Sequence, residues 1–175
     1  VEAVVALLRA GVAPGGSVAG PMAEVVFRST QYLNDADAQA IAVYLRALPQ
    51  RAIAPAEVVK PSAATLERGA KVYEQHCAQC HGDNGEGKPG AFPALAGNRA
   101  VVLQDPTNLV RVVLQGGYLP ATAGNPRPHG MPPFMQVLGD DDVAAVSTFV
   151  RNAWGNQAPA VGTIGVYRAR ERRGS

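Results

Sequence analysis

The chain has 175 residues, 47% apolar and 17% charged, a globular composition with room for one ordinary domain or one small domain plus a fragment. A formal charge of +2 is too small to argue for nucleic acid, and no apolar run approaches the ~18–20 residues that span a bilayer. The two cysteines are too few for a disulfide framework, and no basic start with an apolar core and cleavage site marks a signal peptide. Nineteen glycines and fourteen prolines imply long ordered loops between the regular elements.

In chain order, Val4-Val5-Ala6-Leu7-Leu8-Arg9-Ala10-Gly11 opens as a short amphipathic helix. A Gly/Pro-rich loop carrying Met22 follows. Then Tyr32-Leu33-Asn34-Asp35-Ala36-Asp37 leads into a helix with Ile41, Tyr44, Leu45 and Leu48 on one face. Asp35 suits an N-cap or a first-turn carboxylate there. Residues 50–61, rich in Ala and Pro, lack helical periodicity and read as a linker. Ser62 or Thr65 then caps a helix running through Leu66, Gly69, Ala70 and Tyr73 towards Cys77.

That helix delivers Cys77-Ala78-Gln79-Cys80-His81, which takes up both cysteines of the chain. Cys-x-x-Cys-His is the attachment pattern of c-type haem. Each thiol adds across a haem vinyl group, and the adjacent imidazole meets one face of the iron. Two rivals fit less well. A structural zinc site takes four Cys/His ligands, and His81 adjoins Cys80 too closely to chelate the same ion with it. A thioredoxin-like pair needs a βαβ setting, whereas these flanks are helical. One covalently bound haem c is therefore the expected cofactor. Its attachment normally occurs outside the cytoplasmic membrane, so a mature or trimmed exported protein is expected.

The segment 82–98 is a glycine-rich loop. Within it, Phe92-Pro93-Ala94-Leu95 lies at a distance suited to passing under the haem. The Pro93 carbonyl is placed to accept the second ring N–H of His81, and Phe92 and Leu95 to cover the macrocycle or to fill the core. Pro106 suits the first turn of the next helix. Of the three methionines, Met131 is the best sixth ligand. It sits in Gly130-Met131-Pro132-Pro133, where prolines restrict the loop. A thioether favours reduced iron and raises the potential. Met135 and His129 are the competing ligands, a bis-His site having a lower potential, but Met135 fits a core gap-filler and His129 an exposed loop residue, and His76 reads as a helix-surface residue. The last helix carries Val143, Val146, Phe149 and Val150 on one face, with Asp140 at its start. After Trp154 periodicity fades, and residues 158–175 read as a solvated tail.

The beginning and end of the chain are alike. Residues 4–11 resemble 109–116 and residues 32–37 resemble 137–142, at one constant separation, with Arg46 matching Arg151. Counting back by that separation puts a first Cys-x-x-Cys-His before Val1. Residues 1–49 therefore read as the back half of a second haem domain without its motif. Residues 62–157 read as a complete one. Residues 1–49 are expected to expose apolar surface unless something covers them.

Gly69, Tyr73, Cys77-Ala78-Gln79-Cys80-His81-Gly82, the Pro93 loop, Met131 and Phe149 resemble class I cytochromes c. This resemblance implies an all-α fold in which the first and last helices cross at Gly69. Gly20-Pro21-Met22, Tyr32 to Asp37, Ala40 to Leu45, Met131-Pro132-Pro133-Phe134 and Arg151-Asn152-Ala153-Trp154-Gly155-Asn156 look like the multi-haem cytochrome c subunit of bacterial membrane-bound dehydrogenases for alcohols, sugars or aldehydes. That resemblance implies a periplasmic electron carrier, not catalytic by itself. Its partners would be a dehydrogenase catalytic subunit and a quinone or oxidase acceptor, with membrane association only through partners or segments outside this sequence. Three haem domains are typical of such subunits. Here there is one motif, and Met22 would be an axial ligand of an absent second haem. A peroxidase-like haem protein and a haem module of a larger fusion enzyme are the alternatives.

Overall fold

A computed structural model describes residues 1–49 and 60–171. The expected linker, residues 50–61, lies outside the described residues except at Lys60 and Pro61. In chain order the elements are α1 (Glu2–Arg9), a hairpin of β1 (Val12–Ala13) and β2 (Gly16–Ser17), α2 (Pro21–Arg28), a 3-10 turn (Thr30–Tyr32) and α3 (Asp35–Ala47). They continue with α4 (Ala63–His76), α5 (Ala78–His81), α6 (Thr107–Gln115), α7 (Asp140–Val150) and α8 (Thr163–Glu171). The fold is all-α apart from the antiparallel hairpin, which pairs Val12 with Ser17 and Ala13 with Gly16.

The core forms where α4 crosses α7. Ser62 starts α4 by accepting the Thr65 N–H at 3.1 Å through its hydroxyl. Gly69 sits at the crossing. A Cβ there would lie 2.3 Å from the Ala145 carbonyl oxygen and 2.6 Å from Phe149 Cβ, so any larger residue forces the helices apart. One turn on, the Tyr73 ring centroid lies 5.5 Å from that of Phe149 and 4.9 Å from that of Trp154. Val72, Val110, Leu114, Val143, Val146 and Val150 complete the buried cluster.

The internal likeness extends to the fold. α1 stands to α3 in sequence as α6 stands to α7, and each later helix carries acids in its first turn, Asp35 and Asp37 in α3 and Asp140 to Asp142 in α7. Asp35 and Asp140 are first-turn carboxylates. The preceding positions are the caps, Asn34 accepting the Asp37 N–H at 2.8 Å and Gly139 with no side chain to offer. Pro106 likewise stands at the N-cap of α6, one place before the first turn. The exposed face expected of residues 1–49 is present: Val25, Phe27, Val43, Tyr44 and Leu45 are all exposed, beside a small buried set of Val26, Ala38 and Ala42.

Two expectations are corrected. Met22 does not sit in a loop; it belongs to α2 and is 52% exposed. Pro21 is pre-shaped for the helix start, and the residues after it contain no further proline, whereas Pro126, Pro128, Pro132 and Pro133 keep the second copy irregular. Nor are residues 158–171 a solvated tail. Val161, Val166 and Ala169 are buried, and α8 packs on α6 and α7. Arg170 fixes α8 through an ion pair to Asp140 at 2.7 Å and N–H bonds to the carbonyls of Met135 (2.5 Å) and Leu138 (3.0 Å). Gly162 and Gly165 hide this helix from periodicity because glycine weakens the helical signal around the apolar positions.

Candidate functional site

α4 hands the chain directly to the motif. Cys77 closes it, its N–H bonded to the Tyr73 carbonyl at 2.8 Å. The single turn α5 then holds Cys80 and His81 through bonds back to the Cys77 carbonyl at 3.1 and 2.9 Å. The Tyr73 hydroxyl donates to the Gly82 carbonyl at 2.6 Å and pins the exit of that turn. Burial raises the Tyr73 phenol well above its ordinary value, which keeps it a donor. Cys77 and Cys80 are both free thiols and both partly buried. Burial, then the neighbouring Cys80, pushes the Cys77 thiol up to about 11.

His81 is 8% exposed, and its Nδ1 lies 2.9 Å from the Pro93 carbonyl. A carbonyl only accepts, so Nδ1 carries the proton and Nε2 keeps a lone pair. Burial lowers the His81 pKa, and the Pro93 hydrogen bond opposes this in part. The ring is thus held neutral, in the tautomer a metal ligand requires. Two free thiols within one turn of such an imidazole fit the donor set of covalent haem. Among the described residues, no group of three or more His, Cys, Asp or Glu side chains could hold a bare metal ion.

The Pro93 carbonyl is positioned by the folding of its loop. The N–H groups of Leu95 and Ala96 both bond to the Gly85 carbonyl, at 2.7 and 2.9 Å, and Gly87 N–H bonds to the His81 carbonyl at 2.7 Å. From the far end of α7, Asn156 reaches across. Its amide donates to the carbonyls of Leu95 (3.0 Å) and Val150 (2.7 Å), and its oxygen accepts the Gly97 N–H (3.0 Å). Trp154, with φ 54°, turns the chain so that Asn156 enters the fold, and its indole packs where a Gly85 Cβ would stand. Leu95 packs on the core cluster. The Phe92 ring lies 4.8 Å from that of exposed His129, which joins the Pro93 loop to the approach to Met131.

Met131 is partly buried in the irregular segment between α6 and α7. Its N–H and carbonyl both pair with Gly117, at 2.8 and 3.1 Å. Met135 packs on the core and is held by Leu114 and Arg170, so the two methionines occupy different settings. His76 is half-buried, edge-on to Phe134 at 5.9 Å. Met22 stands apart on α2. In the first copy Val12 pairs with Ser17, whereas in the second Gly117 pairs with Met131 itself, so Met22 lies outside the pairing that holds Met131.

Sequence reasoning missed Asn156 and Arg151 as supports. Arg151 is fully buried and donates to the carbonyls of Val101 (2.7 Å), Leu103 (2.7 Å) and Pro159 (3.1 Å). Burial lowers its pKa, with Asp105 opposing. Its match to Arg46 in the internal comparison was the available signal, since a charged residue repeated at a helix end invites a bonding role.

Residues 66–154 match the family model for cytochrome c. The cytochrome c subunit of alcohol dehydrogenase (quinone) from Gluconacetobacter polyoxogenes is 39% identical over 168 residues, covering 90% of this chain and 35% of that protein. The gluconate 2-dehydrogenase cytochrome c subunit of Pantoea cypripedii is 35% identical over 153 residues, covering 82% of this chain and 35% of that protein. Cytochrome c-552 of Thermus thermophilus is 38% identical over 91 residues, covering 50% of this chain and 69% of that protein. The chain thus spans about a third of the length of the dehydrogenase subunits it matches.

Proposed function

Because the chain belongs to the cytochrome c family, whose cofactor is covalently bound haem c, we propose that residues 62–157 form a complete haem c domain working as a one-electron relay. Cys77 and Cys80 would attach the macrocycle, and His81 Nε2 and Met131 Sδ would hold its iron. The observation that carries this reading is the buried, neutral His81, its Nδ1 proton committed to Pro93, one residue from a free thiol. Haem c, when bound, supplies reversible one-electron chemistry. The protein supplies a histidine fixed in tautomer and orientation, a thioether on a proline-restricted loop, and walls from Phe92 and Leu95.

The partner we propose is the catalytic subunit of a periplasmic dehydrogenase, with quinone or an oxidase receiving the electrons. Support comes from relatives named as cytochrome subunits of alcohol, gluconate and fructose dehydrogenases. No helix among the described residues is long and apolar enough to cross a membrane. Residues 1–49 are, on this reading, the back half of another haem domain. Their exposed apolar face meets a haem-bearing segment, and Met22 serves that haem. The repetition of α6 and α7 in α1 and α3 supports this.

Mass spectrometry of the protein matured with a haem-attachment system tests the central part. The expected mass is polypeptide plus one haem. A mass equal to bare polypeptide overturns it.

A further inference from the structure

The N-terminal unit touches both loops that the haem reading places at the iron. The Gly15 carbonyl, in the turn of the β1–β2 hairpin, accepts the Arg99 N–H at 2.9 Å. Arg99 directly follows the loop whose Pro93 carbonyl holds His81. At the end of α1, the Ala10 carbonyl accepts the Thr122 hydroxyl at 3.1 Å. Thr122 belongs to the segment that ends at Met131. It is buried and pairs with Asn125 through both backbone N–H groups, at 3.1 Å each. Asn125 in turn donates to the Pro120 carbonyl at 3.3 Å.

Between these two bonds the surfaces are in close contact. Gly11 has φ 77°, and a Cβ there would stand 2.2 Å from Pro120 Cγ. A Cβ on Gly124 would meet Ala10 Cβ at 2.7 Å. A cavity of about 90 Å³ remains between Val12, Gly16, Phe92, Pro93, Leu119 and Asn125, which puts the hairpin directly behind the Phe92–Pro93 stretch.

We propose that α1 and the β1–β2 hairpin are a positioning clamp for the haem of residues 62–157, bracing the His81 side through Gly15–Arg99 and the Met131 side through Ala10–Thr122 and Gly11–Pro120. This rests on the His81/Met131 reading above. The physical reason is the irregularity of the two loops. Neither has a helix or a continuous sheet ladder; each is held by a few bonds of its own and isolated bridges, and contacts from outside add to these in holding a single arrangement. An axial thioether bond is sensitive to the loop that carries it, and the ligating histidine responds to the geometry of its second N–H acceptor. Residues 1–17 thereby set the electrochemistry of a haem attached to a different part of the chain.

The test uses the full haem-loaded chain with Gly11→Ala, which drives a methyl into Pro120, and Gly124→Ala, which presses on Ala10 without a positive-φ penalty. Amide exchange reports the loops, a redox titration the potential, and the near-infrared Fe–S charge-transfer band the methionine bond. The clamp predicts exchange at Arg99 and Thr122 faster by about tenfold in Gly11→Ala. It also predicts a lowered midpoint potential and a weakened band, with smaller changes of the same sign in Gly124→Ala. Faster exchange with an unchanged potential and band overturns the clamp, and so does exchange confined to residues 1–17. If Gly11→Ala does not fold, Gly124→Ala decides by the same readings. A wild-type protein without the band defeats the Met131 assignment instead, while exchange and potential still judge the clamp.

Discussion

Asn156→Ala removes a buried amide that ties the end of α7 to the loop holding His81. Asn156 is 6% exposed and makes three bonds, two donated to Leu95 and Val150 carbonyls and one accepted from Gly97 N–H. Each bond is worth about 1 kcal/mol net, and the groups left behind are short of partners, so the loss is about 2–4 kcal/mol. At about 2–4 °C per kcal/mol for a chain of this size, thermal unfolding of the haem-loaded protein falls by roughly 5–15 °C. Asn156→Asp is as damaging, because it keeps the acceptor for Gly97 but sets a carboxylate against two carbonyl oxygens. Circular dichroism melts of the three proteins check this. A loss below about 0.5 kcal/mol, the size typical of a surface substitution, in both variants would refute the claim that Asn156 anchors the Pro93 loop.

Gly69→Ala, despite the better helix propensity of alanine, destabilises by about 1–3 kcal/mol through overpacking at the α4–α7 crossing, measured by denaturant unfolding. A stabilised variant contradicts the close approach. Arg151→Met leaves three carbonyls without their guanidinium donor and costs about 2–4 kcal/mol in the same assay, the local loss appearing as faster exchange at residues 101–103. The Asp105 carboxyl is held below its ordinary value by the Thr107 hydroxyl and then the Thr107 amide. A depressed carboxylate stabilises the fold above its unfolded pKa and loses that contribution as pH falls through the folded one. The stability gap between wild type and Asp105→Asn should therefore close as pH drops from about 5 into the range below 3.8. A gap constant across that range is the contrary result.

The elements legible in the sequence are those whose signal is local. Ser62 starting α4, the spacing of Leu66, Gly69 and Tyr73, and the motif itself each lie within a turn or two of what they control. The Pro93–His81 contact was legible for the same reason, since a short glycine-rich loop allows few paths under a neighbouring histidine. Three features depended on distant partners. Asn156 reaches Leu95 and Gly97 from the other end of the domain. α8 is stabilised by Arg170 bonding to Asp140 and Met135, while Gly165 conceals its pattern. The contact of Ala10 with Thr122 joins residues 112 apart, and nothing near either residue announces it. Met22 was misread for a different reason. A likeness in residue order carried the loop across from the second copy, but only that copy has the prolines to keep the segment out of a helix.

The near-infrared spectrum of the oxidised, haem-loaded protein tests the central claim most directly, that His81 and Met131 close the two axial positions of a haem held by Cys77 and Cys80. The account predicts an Fe–S charge-transfer band in the wild type that is lost in Met131→Ala and kept in Met135→Ala. A band that survives Met131→Ala, or disappears only in Met135→Ala, would contradict it.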